Sequence, residues 1–221
     1  MLASRVNALA LIALLVFVAR ARADESWQPL VTQDGVSVQE RTSPGRAMPE
    51  LRAQVAIHAR IFQVLAVITD VPNQTKWMHN CTEARRLRAD GLDVSVLYNR
   101  TAAPWPVADR DTVLRNEITL LEPGKHVAVR FANTTDPAAP PVDGVVRMPR
   151  LVGDYDLLAV SPTRTQVTYH LDIDPGGSLP AWAAVRGARD TPLHTLLGLR
   201  ARVAETRGEY VDIVTAWSAR H

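Results

Sequence analysis

The spacing of apolar positions changes several times along the chain, and each change marks an element. Leu51, Ala53, Val55 and Ile57 alternate with Arg52, Gln54, Ala56 and His58. That is the period of a strand with one buried face. From Ile61 the period lengthens. Ile61, Val64, Leu65 and Ile68 recur at helical spacing, and Pro72 ends the helix. Upstream, 36–40 alternates behind the Asp34-Gly35 turn signal and reads as a strand. Beyond a short turn or helix carrying Trp77 and Met78, strands dominate: 81–87, 92–101, 112–121, 126–133, 145–159 and 165–173. Short turns join them, so successive strands pair antiparallel.

The longest helical candidate outside the extreme N-terminus is Leu179–Glu205. Leu193, Leu196, Leu197, Ala201 and Ala204 can share one apolar stripe there. Thr191 before Pro192 has the form of an N-cap followed by proline at the first helical position. The spacing therefore predicts either two pieces, roughly 180–186 and 192–205, or one kinked rod. The strands share an apolar face that water cannot cover, and this helix, with the short N-terminal one, can cover it. The expected class is α+β: a long curved antiparallel sheet wrapped around the C-terminal helix. In 207–221, Tyr210, Ile213, Val214 and Trp217 fall at helical spacing. They can extend the final helix past Gly208 or dock on a partner.

Residues 1–23 are different in kind. Arg5 precedes an unbroken apolar run from Ala8 to Ala19, and Ala21-Arg22-Ala23 follows. This predicts a secretory signal peptide cut between Ala23 and Asp24. The run, about 12 residues, is short of the ~20 needed to span a bilayer. The competing reading is an uncleaved anchor. The remainder, 24–221, is expected to be one domain, exported to the periplasm or secreted. Its apolar content, 47% over the whole chain, is enough for a core.

Export changes the charge. The full chain carries 25 basic and 23 acidic side chains, but residues 1–23 hold three arginines and no acids. The remaining 22 basic and 23 acidic groups give a net charge of −1. Nothing in that balance points to nucleic acid. A single cysteine, Cys81, permits no internal disulfide. The six histidines show no metal-ligand spacing, and neither a nucleophile elbow nor a phosphate-cradling glycine loop occurs. No catalytic residue, metal or cofactor is predicted.

Three groups of residues carry a family resemblance. Trp77-Met78-x-x-Cys81-x-Glu83-Ala84 leads into a strand. Pro104-Trp105-Pro106-Val107-Ala108-Asp109-Arg110-Asp111 enters another. Gly177-Ser178-Leu179-Pro180-x-Trp182, followed by Asp190-Thr191-Pro192, opens the last helix. Together they resemble START domains, the StAR-related lipid-transfer family, in a bacterial exported form, over about 27–205. The resemblance implies a helix-grip fold with a hydrophobic tunnel between sheet and C-terminal helix, holding one lipid or sterol-like molecule. It also implies that Arg110 faces inward, near a ligand's polar group.

The candidate ligand-binding residues are Trp77, Tyr98, Trp105, Arg110, Met148, Tyr169, Trp182, Leu196 and Leu197. Each has a plainer reading. Trp105, stiffened between two prolines, is either a lid over the tunnel mouth or a plug packing its loop on the sheet. Arg110 either orients a ligand's head or closes an internal ion pair with Asp111 or Glu117. The tryptophans, tyrosines, Met148 and the two leucines serve a solid core as well as a cavity wall.

Three functions stay open. The first is binding or transfer of a lipid or other hydrophobic molecule, with transient membrane-surface contact. The second is a cyclase-like small-molecule enzyme using groups such as Arg110, Tyr169 and His170. The third is a ligandless interaction protein of the cell envelope.

Overall fold

The computed structural model describes residues 26–42, 45–46 and 48–220. The predicted leader, 1–23, lies outside them. Among the described residues ten strands form one sheet: β1 (Gln28–Gln33), β2 (Val36–Arg41), β3 (Glu50–Ile57), β4 (Cys81–Asp90), β5 (Val94–Thr101), β6 (Asp109–Glu122), β7 (His126–Asn133), β8 (Val145–Arg147), β9 (Arg150–Ser161) and β10 (Arg164–Asp174). Three helices accompany them among the same residues: α1 (Ile61–Thr69), α2 (Ala181–Glu205) and α3 (Val211–Ser218). A 3-10 turn, Val71–Lys76, follows α1.

The sheet runs β1-β2-β3-β10-β9-β7-β6-β5-β4 and is antiparallel along this path. The short β8 adds a parallel pairing to the start of β6. The join between β3 and β10, with Ala53 opposite Tyr169 and Val55 opposite Val167, brings the first strands beside the last. Along β3 every second residue is buried, as its alternation predicts. The predicted strand over 145–159 is two strands. Met148-Pro149 interrupts it, since proline cannot donate to a ladder. Asn133 bridges the gap, its Oδ1 accepting from Leu151 N and its Nδ2 donating to Met148 O.

The C-terminal helix is a single element, and Pro192 sits inside it rather than at its start. The helix begins instead after Pro180, whose carbonyl accepts from Ala183 N at 2.9 Å and Ala184 N at 3.1 Å. The buried stripe is Leu193, Leu196, Leu199 and Val203. Ala201 and Ala204 are exposed, contrary to expectation. Leucine and valine gain more from burial than alanine, so they set the rotation of the helix about its axis. At Gly198 the helix presses on the 76–80 loop: a methyl group there would lie 2.1 Å from the carbonyl oxygen of Trp77.

The tail forms its own helix. Past Gly208, α3 docks against α1, burying Trp217. Tyr210 Oη donates to Asp70 Oδ2 at 2.7 Å, and Arg220 forks onto Asp93 at 2.6 and 2.8 Å. Among the described residues no helix is long and apolar enough to cross a membrane.

Candidate ligand-binding cavity

A cavity of about 520 Å³ lies between the inner face of the sheet and the N-terminal half of α2. Loops 101–107 and 175–179 and the pair Met48-Pro49 edge it. Its floor comes from strand residues that share one face by alternation: Leu97, Asn99 and Thr101 on β5; Arg110, Thr112, Leu114 and Asn116 on β6; Tyr169, Leu171 and Ile173 on β10. Phe131 and Tyr155 complete it. Gly153, opposite Phe131, leaves room for that ring: a methyl group there would come within 2.7 Å of it. The α2 side contributes small groups, Ala183, Ala184, Gly187 and Ala188, beside Arg186 and Asp190.

Tyr155 and Tyr169 are direct partners across β9 and β10, and their rings stack at 4.3 Å, 5° from parallel. Burial holds the Tyr155 phenol well above its ordinary pKa, with Tyr169 reinforcing it. Burial likewise pushes Tyr169 up to about 12. Both therefore stay protonated at neutral pH. The Tyr155 hydroxyl is buried, with Tyr169 as its hydrogen-bonding neighbour.

Arg110 enters the cavity from the first turnings of β6 and is only 5% exposed. It donates to the carbonyls of Ala108 and Gly176. Its Nε is buried without a partner, and among the described residues it makes no ion pair. Burial lowers its pKa. Neither predicted carboxylate answers it. Asp111 points to the opposite face and binds Arg147 at 2.6 and 3.0 Å. Glu117 pairs with Arg115.

At the mouth, His79 and His194 stack at 4.8 Å. Burial, then the neighbouring His194, lowers the His79 pKa. Cys81 is a buried free thiol. Among the described residues no cluster of three or more His, Cys, Asp or Glu is arranged to hold a metal ion.

The predicted site residues divide. Arg110, Met148 and Tyr169 line the cavity. Tyr98 does not: Leu97 takes the inward face of β5, so its neighbour faces out, beneath Arg85 and against Val113 and Ala139. Trp77 is core, and its neighbours Met78 and His79 supply the wall. Leu196 is wholly buried and Leu197 half-buried against the core, while Thr195 reaches the cavity. Trp182 lies half-exposed on the outer side of α2. Trp105, in a loop with a cis Trp105–Pro106 bond, is 91% exposed. It plugs nothing, although Pro104 and Val107 beside it edge the mouth. Tyr155, Asn116, Phe131 and Thr112 were not foreseen. Their alternation was visible, but not which strand lies beside which.

The model of the START domain matches residues 12–202, most of the chain and all of this cavity. The chain belongs to the START family. It is 33% identical over 183 residues to an uncharacterized Pseudomonas aeruginosa protein, covering 83% of this chain and 89% of that one. Among solved structures it is similar to a STAR-related lipid transfer protein fragment from Xanthomonas axonopodis, with a TM-score of 0.73 and 30% identity. That match covers 80% of this START chain and 98% of the fragment. Human StAR-related lipid transfer protein 5 shares the fold, with a TM-score of 0.74 at 19% identity over 84% of this chain and 90% of that one. The helix-grip architecture expected from the sequence is the one observed. The START match ends before α3.

Proposed function

We propose that this START domain binds one hydrophobic molecule, lipid or sterol-like, and carries it through an aqueous compartment outside the cytoplasm. The carrying observation is the 520 Å³ cavity, walled mainly by Leu, Ile, Met, Phe and Tyr side chains from the sheet and by alanines from α2. That volume falls in the ~300–1,000 Å³ range that encloses drug-sized molecules. Burying an apolar ligand there gains roughly 25 cal/mol per Å² removed from water. In this reading Arg110 meets the ligand's polar head, because its buried Nε has no protein partner.

Loading needs an opening, and the half of α2 that faces the cavity carries the weak point. Pro192 cannot donate to the carbonyl four residues back. Beside the mouth, Trp105, Trp182 and Val185 are exposed, with Arg186 and Arg189 on the same helix. Aromatic rings and arginines suit a bilayer interface. This edge is our candidate for transient membrane contact.

Native mass spectrometry of the processed protein from its own host, followed by solvent extraction, tests the reading. The expected result is a stoichiometric hydrophobic adduct. A clean apo mass, with no uptake from a lipid panel, overturns it. For the membrane edge, Trp105→Ala is expected to weaken sedimentation with anionic vesicles while leaving the urea midpoint unchanged. Undiminished sedimentation removes Trp105 from that role.

A further inference from the structure

The polar atoms of the cavity are not scattered. Strand β6 turns Arg110, Thr112, Leu114 and Asn116 toward it in one row. Six residues at ~3.3 Å each set Arg110 and Asn116 about 20 Å apart along the strand. At one end the Arg110 Nε is buried and unpaired. At the other, the Asn116 Oδ1 is buried and unpaired. Buried polar groups in native proteins are nearly always satisfied, so these two orphans in one wall point to partners that arrive with a ligand.

The spacing of these polar atoms limits that ligand: a molecule that meets both must reach ~20 Å. The row reads from cation to amide, so the two ends ask for different groups. An unpaired guanidinium edge selects an oxyanion. An unpaired amide oxygen selects a hydroxyl, which can donate to it. Asn116 also borders a smaller cavity of about 290 Å³ lined from α1 and α3.

We propose, resting on the carrier reading above, that the cargo is an elongated amphiphile polar at both ends: an acidic group at Arg110 and a hydroxyl at Asn116.

The test is calorimetric titration of the processed protein with three probes below their micelle-forming concentrations. They are 16-hydroxyhexadecanoic acid, hexadecanoic acid and methyl 16-hydroxyhexadecanoate. The hydroxy acid is expected to bind about tenfold tighter than either of the others. Asn116→Leu should abolish its advantage over hexadecanoic acid and leave its advantage over the ester. Arg110→Met should do the reverse. Because Arg110 also ties two loop carbonyls, Arg110→Lys, which keeps the charge, should retain most of the preference for the acid over the ester. Equal affinity for all three probes overturns the two-ended cargo while leaving a hydrophobic carrier intact. A hydroxyl preference that survives Asn116→Leu overturns the assignment of that end. Failure of every probe to bind counts against the two-ended cargo and against the carrier reading together.

Discussion

Asp111 grips Arg147 across the parallel junction of β6 and β8, and so leaves its chain neighbour Arg110 without a carboxylate. Neighbours on a strand face opposite ways. The same dipeptide therefore sends a cation into the cavity and an anion to the opposite, covered face of the sheet, where Arg147 pairs with it. Asp111 is 1% exposed. Removing one partner of a buried pair typically costs ~3–5 kcal/mol. Arg147→Met should accordingly lower stability by about 3 kcal/mol in urea unfolding. A loss under ~1 kcal/mol would show that water reaches Asp111 readily.

Gly198→Ala should also destabilise, by roughly 1–3 kcal/mol, although alanine is the better helix former by about 1 kcal/mol. The added methyl group would meet the Trp77 carbonyl oxygen at 2.1 Å, and a backbone group cannot swing aside as a side-chain tip can. Thermal melting of the variant decides the matter. A raised Tm would mean that the 76–80 loop yields cheaply.

All four tyrosines are held above their ordinary pKa, with burial as the first cause. Tyr98 and Tyr155 are raised, while Tyr169 and Tyr210 reach about 12. The folded chain thus keeps protons that the unfolded chain releases near pH 10. The resulting stability is fully present below about pH 10 and is lost as pH rises from there toward 12. The urea midpoint should fall between pH 9 and pH 11, while phenolate absorbance of the native protein stays low at pH 10. Tyr155→Phe should flatten that fall, because it removes one of the raised phenols. Substantial native phenolate at pH 10 would contradict the burial of these rings.

Much of the architecture was legible because burial writes a period into the chain. The β3 alternation Leu51, Ala53, Val55, Ile57 and the full span of β7 could be read directly. Strand β1 could not: Gln28–Gln33 is mostly exposed at the sheet edge and contains Pro29, so it carries no alternation. Thr191-Pro192 left one helix or two open for a different reason. Proline at a helix start and proline inside a helix are the same letter, and only the packing of Ala183 and Ala188 shows that the helix was already under way.

In the cavity, Tyr169 was foreseen and its stacked partner Tyr155 was not. Their pairing depends on the register of β9 against β10. Tyr98 against Leu97 is the same difficulty on a smaller scale, since a shift of one residue exchanges the two faces. Arg110 could be named from its motif, but the Asp111–Arg147 pair spans 36 residues, and no local pattern announces it.

The contact at Gly198 also sets how the mouth can open. With the helix backbone seated on the Trp77 carbonyl, the turns from Leu193 onward have no room to slide. Movement is left to the eleven residues from Ala181 to Thr191, a lever of about 16 Å hung on Pro192. A tilt of about 15° at that hinge would lift the tip by roughly 4 Å, close to one strand spacing. Such an opening would be a wedge, widest at the Ala181 end of the helix and closing to nothing at the hinge. Cargo would leave through it end-on rather than broadside.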